Sequence, residues 1–346
     1  MKRIRSRDVE KANPSHWIVI PLLITAALFV YKTNSSLRVI YSTWTSGTIA
    51  ARPQVVTFGQ QVNSIGAIER SVNYFAVIWP ALVFGILIGA AVRAFVSPRL
   101  LARFAKEKAM KTQLAAGLAG APLMLCSCCV APVFASVAET SGRLGPALGL
   151  MLASPALNPA AIALTFMLFA LNVAVARLLL ALSAVILIGP TVERMLHHIG
   201  FRKPIERQLI EHAIESSAVS KFLKSLAEVF IRTVPGLIVG VVASMLIVQW
   251  LPVHFFTSAG AKFAAILLTA TVAVPLALPT FLEIPLALSL LAAGFPAGAA
   301  IALLFAGPAV NLPSLLSVAR VAGWRIAVLV AALVWILAVT GGLLIG

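Results

Sequence analysis

Acidic residues are scarce in this chain: eleven Asp and Glu stand against 27 Lys and Arg over 346 residues, leaving a net charge of +16. Charge of either sign makes up only 11% of the residues, and the mean hydropathy is +1.00, which excludes a soluble globular domain. The basic residues lie in short segments between apolar runs and form no aromatic-interleaved patch, so nucleic acid is excluded as a partner. Their distribution is the positive-inside pattern of a polytopic membrane protein. No Gly-x4-Gly-Lys-Ser/Thr loop occurs, and no polar region is long enough for an ATPase domain. Uphill transport would therefore draw on an ion gradient or on a separate subunit.

Cysteine is the other scarcity. The chain has three, all inside the run Cys126, Ser127, Cys128, Cys129. Neighbours two and one positions apart make no disulfide framework, and free thiols facing a reducing cytosol are expected instead. The run sits between Pro122 and Pro132 in an apolar stretch. Thiolates are ligands for soft acceptors such as Cu(I), Zn(II) or trivalent arsenic, so Cys126, Cys128 and Cys129 are the candidate substrate and metal ligands.

Apolar runs set the expected architecture. Lys2, Arg3, Arg5, Arg7 and Lys11 precede a run from Trp17 to Tyr31, and no small-x-small cleavage site follows it, so an uncleaved anchor is expected. Residues 32 to 71 are polar and are placed outside as a loop. Val72 to Val96 is long enough to span the hydrocarbon, with Arg93 snorkelling toward headgroups. Ser97 to Thr112 carries five basic residues, with Leu100, Leu101, Phe104 and Ala105 at helical spacing, as in a cytosolic interfacial helix. Beyond it, Pro122, Pro132, Pro146, Pro155 and Pro159 imply broken helices up to residue 193. A basic linker follows, in which Ile205, Leu209, Ile210 and Ala213 suggest a surface helix and His197 and His198 have no cysteine or carboxylate cluster nearby. Glu139 and Arg143 are expected to pair at headgroup level.

The two halves repeat. Gly145 to Asn158 aligns with Gly298 to Asn311 at seven of fourteen positions, and the same offset superposes Pro122 on Pro275, Pro132 on Pro285 and Pro155 on Pro308. Basic residues crowd the segment from Ser97 to Thr112, whereas the matching segment from Pro252 to Ala261 has only His254; this contrast implies inverted halves. The expected fold is an all-α polytopic membrane protein. It consists of an anchor and outer loop (1–71), a first repeat (72–193), a cytoplasmic linker (194–225) and a second repeat (226–346). Each repeat holds three spans and a re-entrant hairpin, and proline-broken segments at matching depths point to a midplane site.

Two further residue types belong to that site. Glu283 is the one acid in a strongly apolar stretch, where a charge costs at least ~2.5 kcal/mol, and it is the candidate proton-coupling group. Asn158 and Asn311 each follow a proline by three and offer donors and acceptors to freed backbone or to a ligand.

Three motifs together resemble the predicted-permease family that includes the organoarsenical permeases. They are the cysteine run with Pro132 three residues beyond it, the segment GPALGLMLASPALNP and the second-half AGPAVNLPS. The resemblance covers residues 72 to 346 and implies a multi-pass inner-membrane exporter of trivalent organoarsenicals, or of copper and zinc. Cys126 and Cys128 occupy the family's cysteine positions; Cys129 stands where glycine is common, and the second half has Pro279, Thr280, Phe281 and Leu282 at the matching place. The expected partners are the bilayer and a small molecule or soft ion as cargo, with no cofactor and no enzymatic activity; assembly as a homo-oligomer stays open. A rival from another class is a membrane enzyme whose thiols cycle through disulfides with a quinone or periplasmic partner; the run is read as lacking the usual C-x-x-C spacing, and no cofactor-binding histidine pair occurs, which disfavours it.

Overall fold

A computed structural model of the chain describes residues 19–47, 64–95, 115, 119–199, 218–250, 262–278, 281–292 and 294–345. Every regular element among them is helical, because backbone amides in lipid can be satisfied only within the segment itself. Five of these helices are long and apolar enough to cross a membrane, and counting each of two bent pairs as one span gives seven. Seven is the anchor plus three per half.

The first helix, α1, runs over Val19–Ser46, and α2 covers Ser64–Phe95. The expected outer loop is thus wrong for residues 32–46 and 64–71, which are helical. The reason is local. Ser42, Thr45 and Ser46 turn their hydroxyls back onto the carbonyls of Val39, Tyr41 and Ser42 at 2.9, 3.2 and 2.7 Å, so a polar sequence stays helical at little cost.

A 3-10 turn, Ala121–Leu123, leads into α3, Ser127–Ser141. Next come α4, Leu144–Ala156, and α5, Pro159–Leu168, bent by 41°, and then α6, Leu171–Ile199. The second half begins with α7, Ala218–Trp250, and α8, Lys262–Ala273, followed by α9, Glu283–Ala292. It ends with α10, Ala297–Ala309, and α11, Leu312–Ala322, bent by 48°, and with α12, Trp324–Ile345. From Leu144 and Ala297 onward, corresponding helices start at one constant offset, so the sequence repeat is a repeat of elements. Counterparts also pack on each other across the halves: α2 on α7, α4 on α10 and α6 on α12. The centre is made by α3, α4 and α10, which are buried over nearly their whole length.

Two polar expectations are corrected here. Arg93 does not snorkel: it is buried and bridges Glu139 of α3 at 2.5 Å and Glu228 of α7 at 2.7 Å, since a charge held between three packed helices must be paired there. Glu139 and Arg143 do not pair with each other. Gly142 ends α3 in the left-handed region (φ +64°), which reverses the chain and turns Arg143 away to Glu193 of α6 at 2.6 and 3.0 Å. The segments that argue for inversion, 97–112 and 252–261, and the expected surface helix after Pro204 lie outside the described residues.

Candidate functional site

The site is built where the chain stops being helical. Pro122 removes a backbone donor in the 3-10 turn, Met124 sits in the left-handed region (φ +50°), and Cys126 is extended as the N-cap of α3. Broken backbone at this depth needs partners, and Ser154 of α4 supplies them: its hydroxyl accepts from the Leu125 amide at 3.1 Å and donates to the Leu125 carbonyl at 3.4 Å. The Cys126 carbonyl in turn accepts from the amides of Cys129 and Val130, each at 3.0 Å, which starts α3.

This geometry gathers the thiols. Cys126 Sγ lies 3.1 Å from Cys128 Sγ and 2.8 Å from Cys129 Sγ, and Cys128 and Cys129 are 3.8 Å apart. All three are free and buried, and they form the one group of three or more metal-ligating side chains found among the described residues. Such a triangle of sulfurs at the positive end of a helix suits a soft, thiophilic centre. Tyr74 of α2 adds its hydroxyl, 3.0 Å from Cys128 Sγ. The expected lack of C-x-x-C spacing is wrong: Cys126 and Cys129 are three apart, and the helix start brings this pair closest.

Helix α2 presses directly on this thiol-bearing turn. A Cβ on Gly85 would fall inside the Cys129 carbonyl, and one on Gly89 would lie 2.8 Å from the Pro132 carbonyl, so this pair of glycines four apart sets the approach of α2 to α3. Gly85→Ala should therefore displace the thiol turn and lower the thermal midpoint of the purified protein by several degrees, as overpacking by about 1–3 kcal/mol does. An unchanged midpoint in a thermal-shift assay would show that the contact is slack.

A cavity of about 210 Å³ adjoins the cluster. Cys126 and Met124 reach it from the hairpin, Asn158 from the break between α4 and α5, and Phe281 from the loop before α9. Asn158 caps α5: its Oδ1 accepts from the amides of Ala160 and Ala161 at 3.0 and 3.4 Å, while its Nδ2 has no partner among the described residues. Asn311 stands at the equivalent break but is not brought to the cavity; it is fully buried in a reciprocal capping box with Ser314.

Glu283 opens α9 and is 2% exposed. It accepts a hydrogen bond from Arg177 Nη2 of α6 at 3.0 Å, and Arg177, itself 1% exposed, also donates to Thr165 Oγ1 of α5. Thr165 then donates to the Ala161 carbonyl at 2.7 Å, so the short helix α5 carries the arginine contact near one end and Asn158 at the other. Sequence reasoning missed Arg177, although it is the lone charge between Leu171 and Pro190 and the argument applied to Glu283 holds for it equally.

A second cavity, of about 350 Å³, is walled by Ala135, Ser136 and Glu139 near the far end of α3, with Arg93, Ser317 and Arg320. Cys126 and Glu139 are separated by thirteen residues of α3, about 20 Å of helix, so the two cavities flank one element.

Residues 61–346 match a family model described as a predicted permease. The chain belongs to that family. It is a multi-pass membrane permease, and the matched residues begin just before α2. UPF0718 protein YraQ of Escherichia coli (strain K12) is 29% identical over 253 residues, covering 72% of each chain. UPF0718 protein MJ0584 of Methanocaldococcus jannaschii is 24% identical over 91 residues, 26% of this chain and 25% of the relative. No solved structure matches the chain.

Proposed function

We propose that this permease is a secondary efflux transporter of the cell inner membrane for soft, thiol-reactive substrates such as trivalent organoarsenicals. The observation that carries the reading is the buried triangle of three thiols with one edge, Cys126, on a cavity wall. A soft centre entering the cavity meets Cys126 first and can then recruit Cys128 or Cys129 without backbone movement. Cavities at both ends of α3 fit alternating access, in which a ligand held at the thiols is offered to one side and then to the other. The Glu283–Arg177 pair is the coupling element: a proton on Glu283 weakens its hold on Arg177, which frees Thr165 and with it the helix that ends at Asn158. Phe281, two residues before Glu283, links the same loop to the cavity.

Copper or zinc ions as cargo use the same sulfurs, so substrate choice is tested directly. Everted vesicles from cells expressing the protein should accumulate phenylarsenite when energised, and lose it when an uncoupler collapses the proton gradient. Accumulation no greater than in control vesicles would reject arsenical efflux; accumulation of Cu(I) or Zn(II) instead would reassign the cargo. The C-x-x-C contact at 2.8 Å favours one second reading, a thiol–disulfide enzyme. It requires that a quinone or a disulfide partner convert Cys126 and Cys129 to a bridge at a turnover rate, which the mass of the intact protein, two hydrogens lighter, would register.

A further inference from the structure

Helix α1 lies outside the family-matched residues 61–346, yet it walls the thiol cavity with Tyr31, Lys32, Ser35, Ser36 and Val39. It is seated there by packing on α2, on α5 and on the 3-10 turn before the cysteines, and Ser36 Oγ lies 3.8 Å from Met124 Sδ. Lys32 is close to the middle of this 28-residue helix. A lysine ammonium at such a position is costly in a bilayer unless it faces a polar cavity or an anion, and here it faces the cavity. Asn158 lines the same cavity and is 1% exposed, with an amide Nδ2 that has no partner among the described residues. Asn311 has an unpartnered Nδ2 as well, but of the two asparagines only Asn158 lines the cavity, where an acceptor on a ligand can reach the donor.

We propose that the cavity is a two-part site: Cys126 takes the soft centre of the cargo, while Lys32 and Asn158 take an anionic oxygen group on the same molecule. Helix α1 is then the element that selects cargo. A bare metal cation is disfavoured beside Lys32, and a neutral thiophile uses only half the site. The volume narrows the class further. A cavity of about 150 Å³ holds benzene, so about 210 Å³ has room for one ring with small substituents. Phe281 and Ile78 supply apolar wall for that ring. The favoured cargo is therefore a small trivalent arsenical with an acidic substituent. Its capture is an exchange without redox: the Cys126 thiol displaces one arsenic-bound hydroxyl, an As–S bond forms, and the hydroxyl leaves as water with the thiol proton.

This inference rests on the thiol-substrate reading, and the test separates the two. Calorimetric titration of the full chain in nanodiscs uses phenylarsenite and its 4-carboxy derivative as probes. The wild-type protein should bind the carboxylated probe more tightly by on the order of tenfold, the value of one charge-assisted contact. Lys32→Gln should erase that preference and Lys32→Arg should keep it. Asn158→Asp, which retains the oxygen that caps α5 but sets a carboxylate against the probe, should invert it. Binding of both probes with equal affinity by the wild type, or an equal preference in Lys32→Gln, would overturn the anion subsite while leaving the thiol reading intact. Failure of both probes to bind the wild type would overturn the two together.

Discussion

Replacing Cys126, Cys128 and Cys129 together by serine is expected to return arsenical resistance to that of cells lacking the protein, with its amount in the membrane unchanged. Serine keeps the size of the side chain and its place in the turn but loses the affinity for soft acceptors. The single variants should rank by access. Cys126→Ser should be as damaging as the triple change, because Cys126 alone of the three lines the cavity, whereas Cys128 and Cys129 stand behind it. Growth of a sensitive, exporter-deficient strain on graded phenylarsenite, with immunoblots of the membranes, measures both quantities. Full resistance in the triple-serine strain would reduce the cluster to tight packing of small, soft side chains.

The second large effect is expected at the buried pair. Glu283→Gln keeps the hydrogen bond from Arg177 but removes the titratable group. In reconstituted vesicles it should still exchange labelled phenylarsenite between the two sides, yet fail to accumulate it against a gradient. Arg177→Ala should be worse in a different way: it leaves a carboxylate 2% exposed without its partner, a loss of roughly 3–5 kcal/mol, and should lower the yield of folded protein severalfold. The double change Arg177→Ala with Glu283→Ala should recover yield but not uphill transport. Uphill transport at the wild-type rate by the glutamine variant would make Glu283 a structural acid, and full yield from Arg177→Ala alone would mean that water reaches the pair.

Much of the framework can be read from the amino acids because lipid leaves the backbone few choices. Apolar runs became helices, and matching prolines and asparagines marked the breaks at 158 and 311. The thiol cluster was legible for the same reason: scarce residue types concentrated beside a helix break carry information that common ones do not. Polarity misled where hydroxyls can satisfy themselves. The Ser- and Thr-rich stretch after Tyr31 reads as a loop, yet its side chains fold onto their own helix, and a loop reading hides Lys32 as a cavity residue. Charge partners were the least legible. Nothing along the chain says that Arg93 joins Glu139 to Glu228, or that Arg143 prefers Glu193 to Glu139, because those choices are made by helix packing and by the reversal at Gly142. Arg177 shows that a rule applied to one sign of charge has to be applied to both.

The two helix breaks descend from one ancestral joint and have since been fastened differently. At Asn311 the third residue of the following helix is Ser314, whose hydroxyl returns the bond, so cap and helix hold each other. At Asn158 that third residue is Ala161, whose methyl has nothing to return, and the asparagine holds the helix without being held. One joint is latched and the other only hooked. Duplication thus left two joints fastened unequally, and the one without the returned bond is the copy that borders the sulfurs.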